Sequence, residues 1–280
     1  MKMPKRIAKY IPFCKAGIQT FLTYKAALFI WPVILFVDIA FVFFLYNAIY
    51  SSSPDGLNSV INGFTFNEIV FYSLFAFIFL FTSSCSDTSD TIFDDVKEGT
   101  IANTLLKPVS YRLRNLCTTL GKGFIQNLLF GLPLALICYI VFVVLNFASL
   151  ETWQIVVNFL LYIVFSFLAL IINDAISYFL GLMSFVTQHV FGLNLMKEAI
   201  VKFCSGQLVP LSFMGGFGVA LSYMPFSFLG STPVLIILNK VEPIWCLYYL
   251  LIGIGWIGVI EIVNYVVFSS CMKKLVIQGG

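Results

Sequence analysis

The sequence predicts an all-α polytopic membrane protein with six transmembrane helices. Hydrophobic residues make up 60% of the 280 residues and charged residues only 10%, whereas a soluble domain is typically about 25% charged. The mean hydropathy of +0.98 is too high for a surface that faces water on all sides. The apolar runs are longer than the roughly ten residues of a barrel strand and do not alternate with polar residues, so they favour spanning helices.

The first predicted element is an amphipathic helix over residues 5–25 that lies on the membrane surface. Its polar face includes Lys5 and Lys9, and its apolar positions recur at helical spacing. These apolar positions are Ile7, Tyr10, Ile11, Cys14, Ile18, Phe21 and Leu22. Basic residues on the polar face favour anionic inner-leaflet lipid, so membrane lipid is an expected partner.

Six apolar runs are predicted to cross the membrane. They cover residues 27–49, 66–84, 124–147, 153–172, 175–191 and 244–268. Joined together, the fourth and fifth would form a helix of roughly 37 residues, about 55 Å long, against a hydrocarbon core of roughly 30 Å. We therefore expect a tight hairpin at Asn173-Asp174, the polar pair that interrupts this run.

The basic residues predict the orientation of these spans. With the N-terminus inside and six spans, only Lys197, Lys202 and Lys240 of the 16 Lys and Arg residues lie outside. This bias follows the positive-inside rule. We expect a multi-pass protein of a bacterial cell membrane with both termini in the cytoplasm.

A polar cytoplasmic loop is predicted over residues 85–122. A short helix over residues 90–98 carries the small apolar face Ile92, Phe93 and Val96 and ends at Gly99, a typical helix stop. A second helical piece over residues 101–106 ends at Lys107-Pro108. The pattern is compatible with a docking element for a soluble partner and equally with a solvated loop that has a basic membrane anchor.

The region over residues 195–240 is apolar but broken, and we expect short re-entrant helices near the outer surface. Irregular backbone at membrane depth is tolerated only inside protein or along a cavity. The breaks are Pro210, Gly215, Gly216, Pro225 and Pro233.

Two carboxylates fall within predicted spans, Asp38 in the first and Glu261 in the sixth. Such residues are costly in a membrane and indicate a substrate path or a subunit interface. The alternative is a carboxyl group that neighbouring hydroxyls or backbone groups satisfy.

Three motifs carry a family resemblance. They are Glu98-Gly99-Thr100-Ile101 followed by Leu105-Leu106-Lys107-Pro108-Val109-Ser110, then FCSGQLVPLS at residues 203–212, then Met224-Pro225-Phe226. In this order and spacing the chain resembles the permease subunit of an ABC-2 type exporter, of the six-span kind, over nearly its whole length.

The resemblance implies an ABC-2 (type V-like) exporter fold with an interfacial helix, a coupling helix between spans two and three, and re-entrant helices before span six. It also implies two ABC ATPase subunits and a second permease, identical or homologous. The residues expected to couple to the ATPase are Ile92, Phe93, Val96, Glu98, Gly99, Thr100, Leu105, Leu106, Lys107 and Pro108. The candidates for a substrate path or interface are Asp38, Glu261, Ser205, Gly206, Pro210, Pro225 and Phe226.

The chain itself has no nucleotide-binding motif, because Gly121-Lys122 has Leu116 where a P-loop needs its first Gly. ATP and Mg²⁺ are therefore expected in the partner ATPase, with no cofactor in this chain. The seven Cys are scattered and there is one His, so neither a metal site nor a catalytic cluster is predicted. A net charge of +3 is too small to indicate nucleic-acid binding.

The predicted function is the transmembrane subunit of an ATP-driven exporter of an amphiphilic cargo, which could be lipid-like, peptide or drug-like. The alternative is an ion-coupled secondary transporter that works without an ATPase. Such transporters typically contain inverted repeats, and the two halves of this sequence show no clear similarity.

Overall fold

The computed structural model describes residues 8–23, 25–145, 151–187 and 191–278. Parts of three predicted elements lie outside the described residues. They are residues 5–7 and 24 of the N-terminal helix, 146–147 of the third span and 188–190 of the fifth span. The helices are α1 (Ile11–Thr23), α2 (Lys25–Ser51), α3 (Phe66–Ser83), α4 (Thr88–Lys97), α5 (Ile101–Leu105), α6 (Tyr111–Gln126), α7 (Leu132–Leu145), α8 (Thr152–Leu182), α9 (Phe191–Cys204), α10 (Gly215–Ser222), α11 (Ser231–Ile237) and α12 (Pro243–Gln278).

Four helical stretches among the described residues are long and apolar enough to cross a membrane. They are Phe66–Lys97, Tyr111–Leu145, Thr152–Phe185 and Ile244–Lys273. Shorter apolar helices lie at Phe36–Ser51 and Leu211–Ser222. The prediction of a helical membrane protein is therefore confirmed, and the number of six spans stays a prediction.

The hairpin expected at Asn173-Asp174 is wrong, because α8 continues through both residues as one helix of 31 residues. Both side chains are buried and satisfied inside the bundle instead of exposed at a turn. Asn173 Nδ2 donates to the Ser83 carbonyl oxygen at 2.9 Å, and Asp174 accepts from the hydroxyl of Ser86 at 2.9 Å. A polar pair inside an apolar helix here marks a packing contact with α3 and the loop that follows it.

The fifth span predicted over residues 175–191 is not a separate helix, because its first eight residues are the end of α8. The next α-helix along the chain is α9. It starts beside α4, where Asn194 donates to Asp90 at 2.8 Å. It ends near the start of α11, where the Ser231 N–H donates to the Ser205 carbonyl at 2.7 Å. We call the end of the bundle that holds α4 and α5 the loop end. Lys197, predicted on the other side of the membrane from the loop, bonds Ser177 at 3.0 Å near the loop end, so that placement is also wrong.

The N-terminal helix α1 packs directly on α6 through two glycines. A Cβ on Gly17 would lie 2.1 Å from the Thr118 carbonyl oxygen, and one on Gly121 would lie 2.1 Å from the Cys14 carbonyl oxygen. The two backbones therefore touch at a crossing that only glycine allows at these positions. This crossing fixes α1 beside the loop.

Helix α3 lies at the centre of the hydrophobic core. It begins with a capping box in which Thr65 and Glu68 satisfy each other's backbone N–H groups. Buried core residues line most of its length, among them Ile69, Tyr72, Phe75 and Phe79. Because α3 is enclosed by other helices, the position of its last turn is fixed, and so is the start of the loop that follows it.

Candidate functional site

The site is built around α4, the short helix in the polar loop between α3 and α6. It ends where Gly99 adopts a φ of +71°, a left-handed conformation that glycine adopts without strain. A Cβ at Gly99 would meet nothing within 4 Å, so backbone conformation and not space explains the glycine. The turn sends the chain into α5 and then towards α6.

The apolar face of α4 packs inward. Ile92 has no exposed surface and lies in a cluster with Ile101, Tyr111, Tyr178 and Leu182. Helix α8 can approach because Gly181 has no side chain: a Cβ there would lie 2.7 Å from Ile92 Cδ1. The expectation that Ile92 belongs to an exposed docking face is therefore corrected, since in this arrangement Ile92 anchors α4 to the bundle.

Asp174 is the polar centre of this anchor and its side chain is fully buried. Its carboxylate accepts hydrogen bonds from Thr88 Oγ1 at 2.5 Å, Thr119 Oγ1 at 2.8 Å and Ser86 Oγ at 2.9 Å. The Arg112 guanidinium donates to its other oxygen. A buried carboxylate is stable only with such a full set of partners, so α8 is tied to both α4 and α6.

Arg112 joins Asp174 to Glu261 on α12. Its Nε donates to the two Glu261 oxygens at 2.9 and 3.1 Å, and its Nη2 donates at 2.5 Å. The guanidinium carbon also lies 4.8 Å from the centre of the Tyr178 ring, a cation–π distance. Glu261, predicted for a substrate path or an interface, is thus an ion-pair partner at the loop end.

A second carboxylate, Asp95, ties α4 to α6 and to the start of α5. It accepts from Tyr111 Oη at 2.8 Å, from Arg114 Nη2 at 3.0 Å and from Thr100 Oγ1 at 3.1 Å. Thr100, predicted to couple to an ATPase, therefore fixes the bend between α4 and α5.

The surface that α4 and α5 leave to solvent differs from the predicted one. Among the described side chains of the segment, Leu106 is the most exposed large hydrophobic residue, at 84%. Glu98, Gly99, Lys107 and Pro108 are exposed as well, while Phe93 and Val96 are half-buried. Leu105 ends α5, but its side chain lies outside the described part.

The predicted path residues do not form one site. Ser205, Gly206, Pro210 and Pro225 are buried, and Phe226 packs on the main core. Tyr72 Oη donates to the Gly206 carbonyl at 2.8 Å, and Gly206 has a φ of +78°. Asp38 is half-buried in α2.

Sequence reasoning did not identify two central residues of the site, Arg112 and Asp174. The sequence contained a signal for Asp174, because a lone Asp inside an apolar run requires a cationic partner or several hydrogen-bonding partners. Asp174 was interpreted as part of a turn instead. Arg112 was counted only as one of several basic residues near the membrane.

Comparison of the sequence with family models identifies the family of this chain. The model described as "ABC-2 family transporter protein" matches residues 36–279, which is most of the chain. The chain belongs to the ABC-2 transporter family. No curated protein gives a significant match.

Membership confirms the resemblance carried by the motifs from Glu98 to Ser110 and from Phe203 to Ser212. ABC-2 permeases are membrane transport subunits that are not themselves catalytic. They generally work with ABC ATPase partners.

Proposed function

We propose that the chain is the permease subunit of an ATP-binding-cassette exporter. Two ATPase subunits bind ATP and Mg²⁺, and a second permease, identical or homologous, completes the path. The complex lies in a cell membrane with both termini of this chain in the cytoplasm. The cargo is amphiphilic: lipid-like, peptide or drug-like.

The observation that carries this proposal is that α4 and α5 are exposed on one side and bound to the rest of the bundle on the other. The exposed side includes Leu106. Their inner surface is bound directly to three other helices: to α8 through Thr88 and Asp174, to α6 through Asp95 and Arg114, and to α9 through Asp90 and Asn194. Arg112 of α6 also pairs with Glu261 and so extends these contacts to α12. A push on the exposed surface is therefore transmitted through these contacts to α6, α8, α9 and α12.

The choice of an amphiphilic cargo depends on the low charge of the membrane-spanning part. Ion paths need polar or charged linings, and the two carboxylates predicted inside spans include one, Glu261, that already has a cationic partner. Large apolar side chains are exposed along α2 and α12, for example Phe36 at 72% and Ile262 at 66%. Such surfaces suit lipid, a second permease or an apolar part of the cargo.

The test is transport by the purified complex in sealed vesicles with a fluorescent amphiphile. We expect ATP-dependent movement that persists when ionophores collapse ion gradients and that stops with a non-hydrolysable ATP analogue. Movement driven by an imposed ion gradient without nucleotide would contradict the proposal and support the secondary transporter.

A further inference from the structure

A polar cavity of about 340 Å³ lies between α1, α4 and α6 at the loop end. Its polar lining from α6 forms one stripe at helical spacing, and α4 supplies the opposite wall. The lining residues are Phe13, Asp87, Thr88, Thr91, Asp95, Arg114, Asn115, Thr118, Thr119 and Lys122. The proposed transport function does not involve this cavity.

Asn115 points to a ligand for the cavity. The residue is only 5% exposed, and its amide nitrogen makes no hydrogen bond of good geometry within the described part of the chain. Its carbonyl oxygen accepts from Arg114 Nε at 3.3 Å. The neighbouring Tyr111 hydroxyl gives its proton to Asp95, and its oxygen is a weak acceptor near the Asn115 amide. A buried N–H donor without a well-formed hydrogen bond is costly, so an acceptor from outside the protein would stabilise Asn115.

The N–H groups of Asn115 and Lys122 give the cavity donor capacity. Lys122 pairs with Asp87 at 2.5 Å, which leaves two of its three N–H groups. Both oxygens of Asp95 already accept hydrogen bonds. The hydroxyls of Thr91 and Thr118 donate their protons to backbone carbonyls at 3.0 and 3.1 Å, so these two side chains offer only acceptor lone pairs. A ligand with several acceptor oxygens suits the remaining N–H donors.

The charged residues of the cavity lining determine which charge the ligand can carry. The lining holds two cations, Arg114 and Lys122, and two carboxylates, Asp87 and Asp95. Asp95 is enclosed, whereas the Asp87 side chain is 63% exposed, so solvent screens its charge. A singly charged group with several oxygens can therefore bind the Arg114, Asn115 and Lys122 donors.

We infer that this cavity binds a phosphate group, either from the headgroup of a membrane phospholipid or as free phosphate. The lipid source fits the position of the cavity under α1, whose Phe13 forms an apolar part of the wall. Thr88 and Thr119 line the cavity and also bind Asp174. An occupied cavity therefore braces the connection between α4 and α8.

The test is titration calorimetry on the purified full-length protein in detergent with two probes, a short-chain phosphatidylglycerol and inorganic phosphate. We expect Asn115→Leu to weaken binding about tenfold, or ~1.4 kcal/mol, and Lys122→Met to weaken it at least as much. Asn58→Leu, at an exposed position outside the cavity, is the matched control and keeps wild-type affinity. The thermal midpoint of each variant without probe verifies that it is folded.

Binding of phosphatidylglycerol but not phosphate identifies a lipid site, and binding of both identifies a general phosphate site; either result supports the inference. No binding of either probe to the wild type overturns it. Wild-type affinity in folded Asn115→Leu and Lys122→Met also overturns it, since the phosphate would then bind elsewhere.

Discussion

Arg112 donates to Asp174 at a point where Asp174 has no exposed side-chain surface. The same guanidinium reaches Glu261, so one side chain connects α6, α8 and α12. Because Thr88 of α4 shares the Asp174 carboxylate, the short helix in the loop is connected to these three long helices by one hydrogen-bonded network. This joint is the structural basis of the proposed response to a partner at the loop end.

Replacement of Asp174 by Asn is expected to lower the free energy of unfolding by about 3 kcal/mol, because it leaves part of a buried ionic network unpaired. The loss should appear as a lower midpoint of thermal unfolding in detergent. Asp55→Asn, which removes an exposed carboxylate at the other end of the bundle, should leave the midpoint nearly unchanged. Equal midpoints for the two variants would show that the network does not stabilise the fold.

Arg112→Lys is not expected to preserve the joint. A planar guanidinium donates to two carboxylates at once, whereas an ammonium group is a single compact charge. Thermal stability and the yield of complex with ATPase should both fall. Arg114→Lys is the control, because Arg114 contacts only one carboxylate, Asp95, through one nitrogen. A larger loss for Arg114→Lys than for Arg112→Lys would contradict the central role of Arg112.

Ile92→Ala should destabilise the protein by about 3 kcal/mol, as expected for a fully buried aliphatic side chain. Leu106→Ala, on the same segment but 84% exposed, should not change stability. Denaturation curves of the two variants provide the comparison. If Ile92→Ala were as stable as the wild type, the inward packing of α4 would be wrong.

Gly121→Ala should push α1 away from α6, because its Cβ would lie 2.1 Å from the Cys14 carbonyl oxygen. Gly255→Ala on α12 is the control, since a Cβ there meets nothing within 4 Å. Cys14 on α1 and Cys117 on α6 are free cysteines beside the α1–α6 crossing, so copper-catalysed disulfide formation between them reports the contact. We expect cross-linking in the wild type and in Gly255→Ala and its loss in Gly121→Ala; unchanged cross-linking would contradict the crossing.

Composition and motifs were enough to predict a helical membrane protein of the ABC-2 family. Both the fold class and the family depend on local sequence properties, namely hydropathy and short motifs, which can be read without knowledge of tertiary contacts. The path of the chain through α8 and α9 was not predictable in the same way. Asn173 and Asp174 look alike in sequence whether they form a solvated turn or contact Ser83 and Ser86 inside a bundle. Only the tertiary arrangement separates the two.

The amphipathic pattern of α4 gave the right apolar face but not what that face contacts. Ile92 was assigned to a partner through the family resemblance, and it packs instead against Tyr178 and Leu182, which are distant in sequence. The cavity beside Asn115 was also not predictable from the sequence, because it depends on the close crossing of α1 and α6 at Gly17 and Gly121. Sequence periodicity gives the face of a helix, and long-range packing decides its use.

The central claim is that the exposed surface of α4 and α5 docks an ATPase, and site-specific photo-cross-linking tests it most directly. A photoreactive amino acid is placed at position 106, and as the matched control at position 57, where Leu57 is 48% exposed at the other end of the bundle. The account predicts a cross-link to an ATP-binding subunit from position 106 and none from position 57 in the complex purified from its native membrane. No adduct from position 106, or an ATPase adduct from position 57, would contradict it.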